Sequence, residues 1–197
     1  NVEVGQTVSC TLTPFGGEGP TFASATDFKL TDGTAKGAFG AISPEAGTVF
    51  EFTYTPSKSG QVSLSTGVVG GSATLRVVEV PTDAEVVCGE TSVASGGSVL
   101  CHIIPQSQGR SVPALASRFN PAVEPPTAGA VSPIATEAGA DLLVTFTATG
   151  GVSGLATVHS GLGGSATISV TGIWCRLSNV VHCVERFVVC ADHPSSA

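Results

Sequence analysis

The 197 residues carry eight Lys and Arg against fifteen Asp and Glu, for a net charge of -7, with 12% charged residues, 25 Gly, 12 Pro and no Met. The acidic excess is spread evenly: four basic against eight acidic residues before Ala84, and four against seven from there on. This speaks against a nucleic-acid surface, which needs a basic stripe to neutralise phosphates. No apolar run approaches the roughly 18 residues of a membrane span. The opening Asn1-Val-Glu has neither the basic region nor the apolar core of a signal peptide, so the chain reads as a mature or excised soluble segment.

The elements follow in chain order. Residues 2–4 form a short first strand and residues 7–13 a second, closed by Pro14, with Gly16-Gly-Glu-Gly-Pro20 as a loop. Residues 28–31 make a short strand ended by Asp32-Gly33, a turn pair. Residues 48–55 alternate, with Phe50, Phe52 and Tyr54 on one face and Val49, Glu51 and Thr53 on the other, the period of a half-buried strand. Pro56-Ser-Lys-Ser-Gly60 turns the chain into residues 61–66, and Gly67-Val-Val-Gly-Gly71 turns it again into residues 72–80.

The same plan then repeats. Gly5-Gln-Thr-Val-Ser-Cys10 returns 91 residues later as Gly96-Gly-Ser-Val-Leu-Cys101, and Ala25-Thr-Asp-Phe28 as Ala116-Ser-Arg-Phe119. Glu45-Ala-Gly47 returns as Glu137-Ala-Gly139, and Gly70-Gly-Ser-Ala-Thr-Leu75 as Gly163-Gly-Ser-Ala-Thr-Ile168. Leu142, Val144 and Phe146 replace the three aromatics. A period near 90 is the size of a small β-sandwich and too long for a solenoid repeat or a propeller blade. The expected architecture is all-β: two tandem sandwich domains at 1–83 and 84–172, and a cysteine-containing extension at 173–197 packed on the second.

Six cysteines, with no Cys-x-x-Cys pair, favour disulfides and an oxidising compartment over a metal site. Candidate chemistry is thin. His159 falls beside the closing-turn Gly161 and has no counterpart in the first copy, and His102 reads as a solvent-facing strand residue. His182 and His193 could join Cys183 and Cys190 as zinc ligands near Trp174 and Cys175, but disulfides are the preferred reading. Asp27, Asp32 and Glu45 lack calcium-loop spacing and only Glu45 recurs, as Glu137, so they read as solvated turn acids. Phe50, Phe52 and Tyr54 read as core, with an exposed sugar-stacking platform as the alternative. No nucleophile, acid or base is placed with a partner. No catalytic residue, metal or cofactor is expected.

The run Phe52-Thr-Tyr-Thr-Pro56, the turn Ser57-Lys-Ser-Gly60, the glycine turn Gly70-Gly71 and the strand 73–78 resemble the closing half of a filamin-type immunoglobulin-like repeat. Filamins are cytosolic and are not built on repeated cystines. The chain is therefore more similar to tandem immunoglobulin-like repeats of large extracellular or cell-surface proteins. The immunoglobulin order of Cys, Trp and Cys within one domain is absent, since the only Trp, Trp174, follows the second copy.

On that plan the second strand begins at the end where the seventh finishes. Cys10 is then expected to reach Cys88 as a staple at the junction, with Cys101 to Cys183 and Cys175 to Cys190. The competing pair is Cys88 with Cys101. A hairpin turning at residues 94–97 would place Glu90 opposite Cys101, two residues away from Cys88 and beyond comfortable disulfide reach. The function this implies is a non-enzymatic structural or adhesive segment: a rigid, disulfide-stapled spacer and protein-contact module. Its partners would be other domains of its array or neighbouring subunits. The alternative is a module binding carbohydrate or another ligand.

Overall fold

The computed structural model describes residues 1–33 and 35–172. The expected extension 173–197, with Trp174, Cys175, His182, Cys183, Cys190 and His193, lies outside the described residues, as does the pairing of Cys175 with Cys190. The described chain is all-β apart from two single-turn 3-10 segments, Ala25–Asp27 and Ala116–Arg118. No helix among the described residues is long and apolar enough to cross a membrane. By internal contacts the chain divides into two compact units. One contains Asn1–Thr82, Pro105–Arg118 and Glu137–Ala140; the other contains Asp83–Ile104, Phe119–Thr136 and, of the described residues beyond, 141–172.

The first unit holds an immunoglobulin-like sandwich. In one sheet Val2–Glu3 runs parallel to Ser72–Val78, which pairs antiparallel with Gly60–Ser65. In the other, Val8–Leu12 pairs antiparallel with Phe50–Thr55, which pairs with Ala38–Phe39. Strand alternation puts the apolar set of each sheet inward. Phe50, Phe52 and Tyr54 from one sheet meet Val2, Val62, Leu64 and Val77 from the other, and all seven are buried. Phe28 meets Phe50 edge to face with ring centroids 5.3 Å apart, and Phe39 lies 4.9 Å from Tyr54. The residues expected as a strand at 28–31 make only a single bridge, Thr31 to Ser65, beyond the 3-10 turn. Ser24 caps that turn and Asp27 reaches back to the Ser24 amide, a capping box.

The second sandwich follows the same pairings. Ser92–Ala94 runs parallel to Ser165–Thr171, which pairs with Gly154–His159, and Ser98–Ser107 pairs with Leu142–Ala148. The repeat extends to register: Cys10 stands opposite Phe52, and Cys101 opposite Val144. The inward set is Val99, Cys101, Ile103, Leu142, Val144, Phe146, Val158 and Ile168, all buried.

Among the described residues the sheets differ at two edges: Ala122–Glu124 forms a ladder on Gly154–His159 where the first sandwich has only the Thr31–Ser65 bridge, and the second difference involves the cysteines. In the second sandwich a further strand, Asp83–Cys88, flanks Ser98–Ser107. The disulfide joins Cys88 to Cys101, with Cα atoms 4.0 Å apart, and the expected pairs Cys10 with Cys88 and Cys101 with Cys183 are not formed. Cys10 is half-buried and without a disulfide partner among the described residues. The correction has a topological cause. Residues 83–97 are not one arm of a hairpin: after Cys88 the chain leaves the sheet and forms Ser92–Ala94 in the opposite one. The two-residue mismatch computed for a hairpin therefore does not apply. Gly89 still donates its amide to the Leu100 carbonyl at 2.9 Å, which brings Cys88 beside Cys101.

Candidate functional site

Asp27, Asp32 and the three core aromatics singled out in the sequence are put to structural use. The Asp32 carboxylate accepts from the Tyr54 hydroxyl at 2.9 Å and from the Gly37 amide. It locks a loop onto the core aromatic and is not a free turn acid. Burial, and then the hydrogen bond and charge of Asp32, push the Tyr54 phenol up to about 12. Asp27 is consumed by its capping box, and the Glu45 carbonyl accepts from the Ala25 amide at 2.8 Å. The three acids do not converge. Among the described residues no three His, Cys, Asp or Glu side chains are grouped as a metal site would require.

The described histidines each face one carboxylate. His102 is partly exposed on its strand, and its Nδ1 lies 2.9 Å from Asp141 Oδ1. His159 ends the strand Gly154–His159 and does not lie in the turn where the sequence put it; its Nε2 is 3.4 Å from Glu124 Oε2, too far for a good hydrogen bond. Neither ring has a nucleophile beside it in these contacts. Ser160, next in sequence, is fully buried, accepts from the Leu162 amide and donates to the Gly163 carbonyl. Its hydroxyl shapes the closing turn.

Phe50, Phe52 and Tyr54 are buried, so the stacking platform considered for them does not exist. Exposed aromatics occur elsewhere: Phe15 opens the small ladder Phe15–Gly16 with Gly19–Pro20, Phe22 follows it, and both are about 70% exposed.

Sequence reasoning missed one ion pair. Within the first unit Glu3 is buried, and Arg118 binds it with two nitrogens, Nε donating to Oε1 at 2.7 Å and Nη2 to Oε2. The Arg118 hydrogen bond outweighs burial and holds the Glu3 carboxyl below its ordinary value. The partners are 115 residues apart and no local pattern links them. The capping box of Ser24 and Asp27 was missed as well, since Asp27 was read as a solvated turn acid, although the three-residue spacing of the pair is a signal that could have found it.

The first unit holds a cavity of about 600 Å³ beside the Glu3–Arg118 pair, lined also by Gln6, Val80 and Leu115, and a groove of about 300 Å³ at the outer side of Val8–Leu12. Cys10, Leu12, Phe15 and Leu30 form its apolar part, and the turn Gly70-Gly71 lies across from them. Val8–Leu12 is the edge strand of its sheet, so its outward amides and carbonyls have no ladder partner among the described residues. Burial raises the Cys10 thiol above its ordinary pKa, which keeps it mostly protonated near neutrality.

No family model matches the chain. No curated protein matches it either. Among solved structures it is similar to the Escherichia coli adhesin FdeC, at 14% identity and a TM-score of 0.47, covering 87% of this chain and 60% of that one. It is also similar to Yersinia pseudotuberculosis InvD, at 16% identity and a TM-score of 0.47, covering 91% and 58%. A third is invasin, described as a bacterial integrin-binding protein, at 17% identity and a TM-score of 0.41, covering 87% and 38%. The chain thus spans three fifths or less of the length of these three structures.

Proposed function

We propose that this chain is a non-enzymatic structural or adhesive segment of an extracellular or cell-surface protein. Its immunoglobulin-like repeats, at 1–83 and 84–172, would act as spacers and protein-contact modules within a longer array. The observation that carries this reading is the use made of the polar side chains. Asp27, Asp32, His102 and Glu3 each serve a turn, a strand or an ion pair within the fold. Of these, Glu3 borders a cavity, and there its carboxylate is already held by Arg118. The Cys88–Cys101 bond favours an oxidising compartment. The finer assignment to a filamin-type repeat belongs to this proposal. It rests on the strand plan Phe50–Thr55, Gly60–Ser65 and Ser72–Val78.

A spacer needs a stiff connection. Only Glu79–Thr82 separates the last strand of the first sandwich from Asp83–Cys88, and Pro81 restricts one of those four residues. Small-angle scattering on the oxidised protein should therefore fit a narrow distribution of inter-domain angles. Inserting Gly-Ser-Gly-Ser after Pro81 should broaden it. Equal breadth for both proteins would remove the spacer reading.

A second reading, a carbohydrate-binding module, is favoured by exposed Phe15 and Phe22, since sugars stack on accessible aromatic faces. A glycan array separates the two. Binding lost in Phe15→Ala or Phe22→Ala would establish the second reading, and a blank array would leave the spacer.

A further inference from the structure

The second repeat displays what the first lacks. There, Asp83–Cys88 lies alongside Ser98–Ser107 with Ala84 and Val86 buried and Cys88 bonded to Cys101. Two glycines mark its path. A Cβ on Gly163 would fall 2.0 Å from Asp83 Oδ1, and one on Gly164 would fall 2.0 Å from the Ala84 carbonyl oxygen. The added strand therefore passes directly against the Gly163-Gly164 turn.

In the first repeat the corresponding turn is Gly70-Gly71. A Cβ on Gly70 would meet nothing within 4 Å and one on Gly71 would first meet the side chain of Thr66 in the same turn, so no added strand lies directly against either, and both glycines line the open groove together with Cys10. Cys10 occupies the same register position as Cys101, on the inward face of an edge strand. Groove, unpaired edge and thiol thus coincide with the place that a strand and its cysteine fill in the second repeat.

We propose that this groove is a strand-receiving site, filled by the connector strand of a neighbouring repeat of the same array. The incoming segment is extended, carries small apolar side chains at alternate positions as Ala84 and Val86 do, and bears a cysteine that bonds Cys10. Its backbone completes the ladder along Val8–Leu12, and its side chains cover the apolar floor at Leu12 and Leu30. The source of the strand rests on the array reading given above; the groove itself does not.

The covalent step balances with a small-molecule disulfide, such as glutathione disulfide, as oxidant. The oxidant's S–S bond breaks, the Cys10–strand S–S bond forms by two successive exchanges, and the oxidant leaves as two thiols carrying the two protons. A docked strand raises the local thiol concentration, which compensates for a Cys10 thiolate that is scarce at neutral pH.

The test uses the intact chain in a glutathione redox buffer with a synthetic peptide of the sequence of residues 81–89, which ends in Val-Val-Cys-Gly. Bonds are mapped by proteolysis and mass spectrometry without reduction. The peptide should occupy Cys10 at least about tenfold more at equilibrium than a scrambled peptide retaining its cysteine, corresponding to about 1.4 kcal/mol of docking. A peptide with Val86→Asp should fall to the scrambled level. Equal capture of all three peptides would mean a reactive thiol without a groove and would overturn the site. So would finding Cys10 already bonded within the isolated chain. Selective capture together with a parent sequence that has no further repeat would refute the neighbouring-repeat source. Failed capture would sink the site whatever the parent sequence holds.

Discussion

Replacing both Cys88 and Cys101 by Ala tests the observed pairing by its energetic consequence. The bond closes a loop across a sequence separation of 13 residues. The chain-entropy relation then assigns the cross-link about 3 kcal/mol at 25 °C, through restriction of the unfolded chain. For a domain near 90 residues, where each kcal/mol moves the midpoint by roughly 4–8 °C, the second repeat should melt roughly 12–24 °C lower. Alanine is the right replacement because Cys101 is fully buried, and a serine hydroxyl there would add an unsatisfied group to the loss. Differential scanning calorimetry of the oxidised wild type, the double variant and Cys10→Ala reads the outcome. The double variant should lose stability in one transition, while Cys10→Ala leaves that transition where it was. A large drop on Cys10→Ala with little change in the double variant would mean that the first repeat is the one cross-linked, and the register argument would fall. A drop below about 1 kcal/mol would show that residual structure in the unfolded chain already restricts the loop.

The remaining predictions concern single contacts. Tyr54 is the only tyrosine, so phenolate absorbance reports it alone: the folded protein should titrate near 12 and the unfolded chain near the ordinary value of about 10. A folded pKa above the unfolded one means that this group's stabilisation is fully present below the unfolded value and is lost as pH rises through the folded one; a folded-state midpoint near 10 would contradict the burial of the phenol and, with it, the Asp32 contact. Tyr54→Phe should cost about 1–2 kcal/mol in urea unfolding, because the half-buried Asp32 carboxylate loses one of its donors. Glu3 has the opposite sign: its depressed carboxyl stabilises above the unfolded value near 4.5 and stops doing so as pH falls through the folded one. Wild type should therefore lose stability more steeply than Glu3→Gln between pH 5 and 3, and parallel curves would refute the ion pair. Gly164→Ala should be more damaging than Gly70→Ala. The first drives a methyl into the Ala84 carbonyl, while the second carries only the strain of a φ of +83°, about 1–2 kcal/mol. Equal unfolding midpoints for the two would mean that no strand lies over the second turn.

Much of the fold was legible because it is written in short periods. The alternation Phe50, Phe52, Tyr54 defined a half-buried strand, and the duplicated Gly-x-x-Val-x-Cys placed Cys10 and Cys101 at matched points of two sandwiches. Those signals depend on the two-residue period of a strand, which the chain carries locally wherever it is folded. The capping box at Ser24 and Asp27 is equally local in its three-residue spacing, but Asp27 was read as a solvated turn acid.

The cysteine pairing was decided by tertiary structure alone. Sequence spacing assumed that residues 83–97 continue as one hairpin arm, but the chain crosses from one sheet to the other between Cys88 and Ser92, and that crossing sets the neighbour of Cys88. The same holds for Glu3 and Arg118, which share no local pattern across 115 residues, and for Asp32, whose partner Tyr54 lies 22 residues on. Periodicity records which side of a strand faces the core. It carries no information about which strand, or which loop, lies beside it, because that choice is made by how two sheets close over a common interior.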